Sequence, residues 1–413
     1  MAHKLKKLSD QVIVITGASS GIGLVTARMA ARKGARLVLA ARSEVALRQL
    51  TQEIEAQGGR ATYVVADVAD PAAARTIAEH ARHHFGGFDT WINNAGVSIY
   101  GKVEEIPLQD MRQLFEVNFW GLVNGSLEAV KHLKGQGGAL INVGSILSDV
   151  TAILQTIYSA SKHAVKAFTD GLRMELEMDG APVSVTLIQP AAIDTPYPVH
   201  AKNYMEREAK HAPPAYAPET VARAILHSAS HSERNVVVGG GGRAFISMEQ
   251  WTPALLDKFM EKSFVKQEKA DYAPRPLHQN GLDKAIGALE ERGNYPGHTR
   301  ETSYYTQAVT SQSPVLKTAL AVGAGLALAT WLSKSRRPAS DGYQAGDKGG
   351  NGAARGSASS YGQVPDHARS TPNDGRPLSY GAELEQPGAG RTGGYPSAPD
   401  HRYSTQTRHE DLP

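Results

Sequence analysis

Over roughly the first 240 residues, short runs of Val, Ile and Leu alternate with longer amphipathic stretches. The apolar runs are VIVI at 12–15, RLVLAA at 36–41, ATYVVA at 61–66, TWIN at 90–93, ALINVG at 139–144, VSVTLIQ at 183–189 and NVVVG at 235–239. Strands that read as nearly continuous apolar runs are those buried on both faces, and helical stretches between them supply the cover. The pattern predicts an α/β fold, a doubly wound parallel sheet, over residues 8–240.

Beyond Gly240 the pattern changes. GGGGR breaks the last strand, and a C-terminal extension over 241–312 mixes an amphipathic helix near 249–268 with irregular segments containing Pro, Tyr and Gly. A hydrophobic helix is expected at 313–337, followed by a Gly/Ser/Pro-rich tail over 338–413. The tail has too little apolar surface to bury and is expected to be disordered.

Composition narrows the function classes. At 413 residues, 41% hydrophobic and 21% charged, the chain can bury a core. A net charge of +3, with cations interspersed among acids, does not point to nucleic acid. There are no cysteines, which excludes disulfides, thiolate metal sites and cysteine nucleophiles. The N-terminus MAHKLKKLSD is basic but leads to no small-residue cleavage site, so a cytoplasmic protein is expected.

The first strand runs into TGASSGIG at 16–23, which holds Gly17, Ser19, Ser20, Gly21, Ile22 and Gly23 and opens a helix. Orphan amides at a helix N-terminus suit a bound pyrophosphate, and glycine lets the phosphate approach closely. The spacing is G-x-x-x-G-x-G rather than the common G-x-G-x-x-G.

Three further stretches sit where a doubly wound sheet presents its crevice: NNAG at 93–96, NVGS at 142–145 and YSASK at 158–162. With TGASSGIG they resemble, in order and spacing, the short-chain dehydrogenase/reductase family, with its Rossmann fold. That resemblance implies Tyr158 as general acid/base, Lys162 as its support, Ser145 on the carbonyl oxygen, and Asn118 completing a proton relay. It also implies a cofactor contacted by Asp67, Val68, Asn94, Ala95, Gly96, Pro190, Ile193 and Thr195 as well as the glycine turn, Tyr158 and Lys162. A homo-oligomer follows from the same likeness.

These residue types suit the chemistry. A phenol titrates near 10 and needs help to exchange its proton at neutral pH, and a lysine at i+4 favours the phenolate. A serine hydroxyl at a strand end can donate to the negative charge that develops on a ketone oxygen. Asn118 can equally satisfy buried backbone groups, and the Thr195 hydroxyl can equally close a local turn.

The end of the second strand distinguishes the nicotinamides. Ala41 stands where NAD-preferring family members carry Asp, and Arg42 follows, which points to NADP(H) over NAD(H). One departure is Ala191, where the family usually has glycine after proline; Pro190, Ile193 and Thr195 keep the rest of the pattern. Residues 196–216 correspond to the family's substrate lid.

Other features read more plainly. His80 and His84 lie one turn apart but lack a third ligand, so they read as a solvated helix face and no metal is expected. Trp91 and Trp120 are expected to pack in the core. Val315–Leu332 would make a helix of about 27 Å, marginal against a hydrocarbon core of about 30 Å. Membrane association through 315–332 and a helix docked on protein are the two readings of that segment. The chain as a whole reads as an NADP(H)-dependent oxidoreductase interconverting a small-molecule carbonyl and an alcohol. The alternatives are an NAD-linked dehydrogenase or epimerase on the same fold, or a non-catalytic nucleotide-binding scaffold.

Overall fold

The computed structural model describes residues 4–286, 289–293 and 295–311. Seven strands form one parallel sheet: β1 (Val12–Thr16), β2 (Arg36–Ala41), β3 (Arg60–Val65), β4 (Thr90–Asn93), β5 (Gly138–Val143), β6 (Val183–Pro190) and β7 (Asn235–Val238). Their order is β7-β6-β5-β4-β1-β2-β3, so the winding direction reverses between β1 and β4. A crevice opens at such a reversal, beyond the carboxyl ends of the strands.

Alternate side chains of each strand serve opposite faces. Ile13, Ile15, Leu37, Leu39 and Ile141 pack with Leu24 of α1 (Gly21–Arg32) and with Leu47 and Leu50 of α2 (Glu44–Ala56). Val14, Val38, Trp91 and Leu140 pack on the other face with Ile77 of α3 (Ala73–Phe85). The register stacks them, with Val14 beside both Val38 and Trp91, and Trp91 beside Leu140. Burying each such side chain contributes about 1.5–3 kcal/mol, which is why the alternation fixes the strand register.

The helix α4 (Leu108–Phe115) continues through a π turn at Glu116–Trp120 into α5 (Gly121–Gln136). Trp91 is fully buried as expected, but Trp120 is 48% exposed. Trp120 closes the π turn, whose wider winding changes which face its residues present, and its ring packs edge-on against Phe119 at the surface. The longest helix among the described residues, α6 (Thr156–Met178), crosses back to the sheet, and a short α7 (Tyr197–His200) follows β6. α8 (Pro218–Ser228) leads to β7.

The helix expected near 249–268 starts at Gly240 instead. Gly239, at φ +105°, turns the chain directly out of β7 into α9 (Gly240–Trp251). Pro253 then begins α10 (Pro253–Phe259), followed by a π turn at Met260–Phe264 and α11 (Val265–Glu268). Ile246, Leu256 and Met260 of this run pack against Val150 and Val237. Further on, Thr299–Arg300 pairs with Ala215–Tyr216, and α12 (Tyr304–Val309) closes the described chain.

The expected hydrophobic helix at 313–337, with its membrane reading over 315–332, and the tail over 338–413 lie outside the described residues. Among the described residues no helix is long and apolar enough to cross a membrane.

Candidate active site

The glycine turn is braced from below by β4. Gly17 has φ +67°, and a Cβ on it would stand 2.8 Å from the Ala95 Cα. The Thr16 hydroxyl oxygen accepts from the amides of Asn94 and Ala95 at 3.0 and 3.2 Å. Asn94 Nδ2 donates to the Thr16 and Gly17 carbonyls at 3.0 and 3.2 Å. Within NNAG, then, Asn94 shapes the turn. Asn93 faces inward, accepting from Trp91 Nε1 at 2.8 Å and donating to Asn142 Oδ1 at 2.9 Å.

Gly23 is the tightest point of the turn. A Cβ there would lie 2.2 Å from the Gly17 carbonyl oxygen and 2.6 Å from Asn94 Nδ2. Gly23→Ala must displace backbone, and thermal unfolding should show a loss of roughly 1–3 kcal/mol. An unchanged melting temperature would contradict this account of the turn.

Ser145, Tyr158 and Lys162 converge on one cavity above β5 and β6. Ser145 caps a short 3-10 turn at Ile146–Ser148, where its Oγ accepts from the Leu147 amide at 3.1 Å. Having accepted there, the hydroxyl keeps its own proton to donate, and it hydrogen bonds with Tyr158. Lys162 lies one turn along α6 from Tyr158, with Nζ 5.7 Å from the ring centroid. Its ammonium donates to the Val143 carbonyl at 3.0 Å, and burial brings its pKa down to about 8.

Two site expectations change. Burial pushes the Tyr158 hydroxyl up to about 12, against the opposing pull of its hydrogen bonding with Tyr197 and Ser145. The shift runs opposite to the lowering expected from Lys162, because burial penalises the phenolate. Asn118, in the π turn, turns its side chain to backbone: Oδ1 accepts from the Val97 amide at 2.8 Å and Nδ2 donates to the Val97 carbonyl at 3.0 Å. Its remaining contact is with Ser161 Oγ at 3.2 Å, so the described side-chain bonds of Asn118 bypass Tyr158 and Lys162.

A second cavity joins the first along Ile22, Asn94, Gly96, Thr195 and Tyr197. This groove is lined by Gly17, Ser19, Ser20 and Gly21 at one wall and by Arg42, Asp67 and Val68 at its far end. Asp67 caps the following turn, its Oδ1 accepting from the Ala69 amide at 3.0 Å, while Oδ2 lies 3.9 Å from Arg42. Ile193 and Pro190 line the first cavity, and the Thr195 hydroxyl donates back to the Ile193 carbonyl at 3.3 Å. Among the described residues only Leu154 and Leu289 are non-glycine residues with positive φ, so Ala191 sits in ordinary backbone and its substitution for glycine costs no strain.

The extension reaches this groove, which the sequence did not foretell. Arg42 donates to the carbonyls of Gly281, Leu282 and Lys284. Gln113 Nε2 also holds the Leu282 carbonyl at 2.9 Å, and Lys202 pairs with Asp283 at 3.1 Å and Asp110 at 2.8 Å. The amide of Gly21 is not an orphan: it donates to the Glu290 carbonyl at 2.8 Å. Gly281, Ala285 and Ile286 thus form part of the groove wall.

The cavity beside Ser145 and Tyr158 contains residues that no motif marked. Tyr197 hydrogen bonds Ser98 Oγ at 2.7 Å, donates to Gln155 Oε1 at 2.9 Å, and sets its ring 5.5 Å from that of Tyr158. Gln155 Nε2 donates to Glu268 Oε1. His211, whose pKa burial lowers to about 4, is a neutral ring stacked 6.0 Å from Tyr197. Glu268 and His211 come from segments without any short-range signal; only the closed fold brings them here. His80 stacks on His84 at 3.9 Å and shares a hydrogen bond with Thr62, and among the described residues no group of metal-binding side chains occurs.

Comparison with known proteins agrees with this arrangement. The family model described as short chain dehydrogenase matches residues 11–205. The chain is 45% identical over 336 residues to the uncharacterized oxidoreductase YxnA of Bacillus subtilis, covering 81% of this chain and 93% of that one. An alignment of that length cannot be confined to residues 8–240, so the relative shares part of the extension. The 1-deoxy-11-beta-hydroxypentalenate dehydrogenase of Streptomyces arenae is 39% identical over 189 residues, which cover 44% of this chain and 67% of that one. A short chain dehydrogenase/reductase from Burkholderia phymatum, solved in complex with NAD, shares the fold with a TM-score of 0.55 at 24% identity, over 65% of this chain and 99% of that one. Sheet order, glycine turn and the Ser145, Tyr158 and Lys162 cluster therefore agree with the similarity in sequence: the chain is an oxidoreductase of the short-chain dehydrogenase/reductase family.

Proposed function

We propose that the protein reduces a carbonyl compound to an alcohol with NADPH, with Tyr158 as proton donor. The observation that carries this reading is the convergence of Ser145, Tyr158 and Lys162 on a cavity continuous with the glycine-lined groove. The groove has the parts a dinucleotide needs: a helix N-terminus with a close-approach glycine turn at the middle, a guanidinium at one end, and Asn94, Gly96 and Thr195 leading to the catalytic cluster. The dinucleotide's phosphates would have to take over the Gly21 amide from the Glu290 carbonyl and Arg42 from the carbonyls of Gly281, Leu282 and Lys284.

A nicotinamide held at that junction supplies the hydride. Ser145 donates its hydroxyl proton toward the substrate oxygen, where charge develops. Tyr158, a phenol that burial keeps protonated, hands its proton to that oxygen. Lys162, charged on the acid side of about 8, stabilises the phenolate left behind. The reverse reaction needs the same groups with Tyr158 deprotonated.

Arg42 supports the choice of NADPH. β2 ends in Ala41 rather than in a carboxylate that would bind a ribose 2′-hydroxyl, and Arg42 lines the groove there, 3.9 Å from Asp67. The full chain should therefore oxidise NADPH in the presence of ketones or aldehydes and bind NADPH more tightly than NADH. Arg42→Ala should weaken NADPH binding about tenfold or more and NADH binding little, measured by fluorescence titration. Tighter binding of NADH by the unaltered chain would reverse the cofactor assignment. Binding without turnover across a broad carbonyl panel would favour a nucleotide-binding scaffold.

A further inference from the structure

Glu268 closes α11 and is only 2% exposed, yet it borders the cavity that holds Ser145 and Tyr158. One carboxyl oxygen, Oε1, accepts from Gln155 Nε2. The other, Oε2, has no hydrogen-bond partner. The cavity that Glu268 borders is largely apolar, with Ile146, Leu147, Phe245, Phe264 and Pro214 in its wall.

The carboxyl is held in place. Gln155 is fixed from its far side by Tyr197 at 2.9 Å, and the backbone of Glu268 accepts from the Lys210 amide at 2.9 Å. Lys162, which lines the same cavity, is engaged by the Val143 carbonyl. A buried oxygen without a partner costs a fold about 1–3 kcal/mol, and of the five such side-chain atoms among the described residues only Glu268 Oε2 belongs to a carboxyl that borders this cavity.

We propose that Glu268 Oε2 receives a second hydroxyl of the substrate, so that the site takes apolar carbonyl compounds, or the corresponding alcohols, that carry a hydroxyl away from the reacting carbon. The inference rests on the carbonyl-reducing reading of the cavity. A hydroxyl suits this position better than an ammonium, because an ion pair here would have to desolvate two charges in an apolar pocket. Burial raises the carboxyl to about 8, so at neutral pH it can both give and accept a hydrogen bond with an alcohol. The remaining titratable neighbours, Tyr100, Tyr158, Tyr197 and His211, are all held neutral by burial.

The test uses the full chain with saturating NADPH and a homologous series of linear methyl ketones. Each parent ketone is compared with its counterparts bearing a terminal hydroxyl or a terminal dimethylamino group. At the chain length that spans the cavity, kcat/KM for the hydroxyketone should exceed that of its parent by about 10–100-fold, since a site built to hydrogen bond a hydroxyl discriminates against its absence. Glu268→Leu should bring that ratio, taken within the variant between each hydroxyketone and its own parent, to about one, whatever its effect on the absolute rates. Glu268→Gln, whose carbonyl oxygen keeps the bond from Gln155 while its amide nitrogen can still donate in place of Oε2, guards against misfolding of the Leu variant and should retain part of it. Equal rates for parent and hydroxyketone at every length, a ratio that survives Glu268→Leu, or a preference for the aminoketone would each overturn the assignment. Failure of the carbonyl-reducing reading looks different: the parent ketones themselves would not be reduced, and the Glu268 inference would fall with it.

Discussion

Tyr158→Phe should lower kcat for ketone reduction by about a thousandfold, in the middle of the range for a positioned general acid. That factor corresponds to ~4 kcal/mol of transition-state stabilisation. The substitution deletes one hydroxyl and keeps the ring, which packs with Ile99, Leu114 and Leu147. Ser145 retains its cap on Leu147, and Tyr197 retains Ser98 and Gln155. Folding and dinucleotide affinity should therefore change little, within about twofold in Kd. The loss should appear in kcat and kcat/KM alike, the signature of an interaction used in the transition state. Steady-state kinetics beside a titration of NADPH would read both. A Phe variant retaining a tenth or more of the activity would remove Tyr158 from the role of proton donor.

Stability should fall between about pH 6.5 and pH 8, and Glu268 should be the cause. Burial raises its carboxyl from the ordinary 4.5 to about 8. In that window the unfolded chain has already lost this proton while the folded chain still holds it. Stability therefore declines as pH rises, by ~1.4 kcal/mol per pH unit and ~2 kcal/mol across the window. Other buried groups act elsewhere. His211, lowered from 6.5 to about 4, stabilises the fold as pH rises only below 6.5, and the lowered His80, His132 and His200 act in the same direction there. Lys162, lowered from 10.5 to about 8, contributes above the window. Glu268→Leu should abolish most of the decline and raise the melting temperature at pH 8 by several degrees. Equal slopes for the two proteins between these pH values would show that the carboxyl is ionised in the folded state.

Much of this molecule could be read along the chain. Each of the seven apolar runs became a strand of the parallel sheet with ends within a residue or two, because strands buried on both faces must be continuously apolar. The glycine turn was legible for a steric reason, since Gly17 and Gly23 sit where a Cβ would meet backbone. Tyr158 and Lys162 were legible because four residues on a helix is a spatial as well as a sequential distance.

What the sequence left undetermined depends on contacts between distant segments. Arg42 stands at the end of β2 where local reasoning placed it, but the carbonyls of Gly281, Leu282 and Lys284 that it holds lie some 240 residues away. Glu268 ends a short helix and looks like any solvated glutamate until α11 is packed under Gln155 and Tyr197. The upward direction of the Tyr158 shift was likewise set by packing, because desolvation depends on what surrounds the phenol rather than on its neighbour in sequence. Periodicity and backbone sterics are local, so the sequence by itself determined the sheet and its phosphate-sized turn. Burial and long-range hydrogen bonding belong to the closed fold, and they alone decided which groups line the cavity beside Tyr158 and in what charge state.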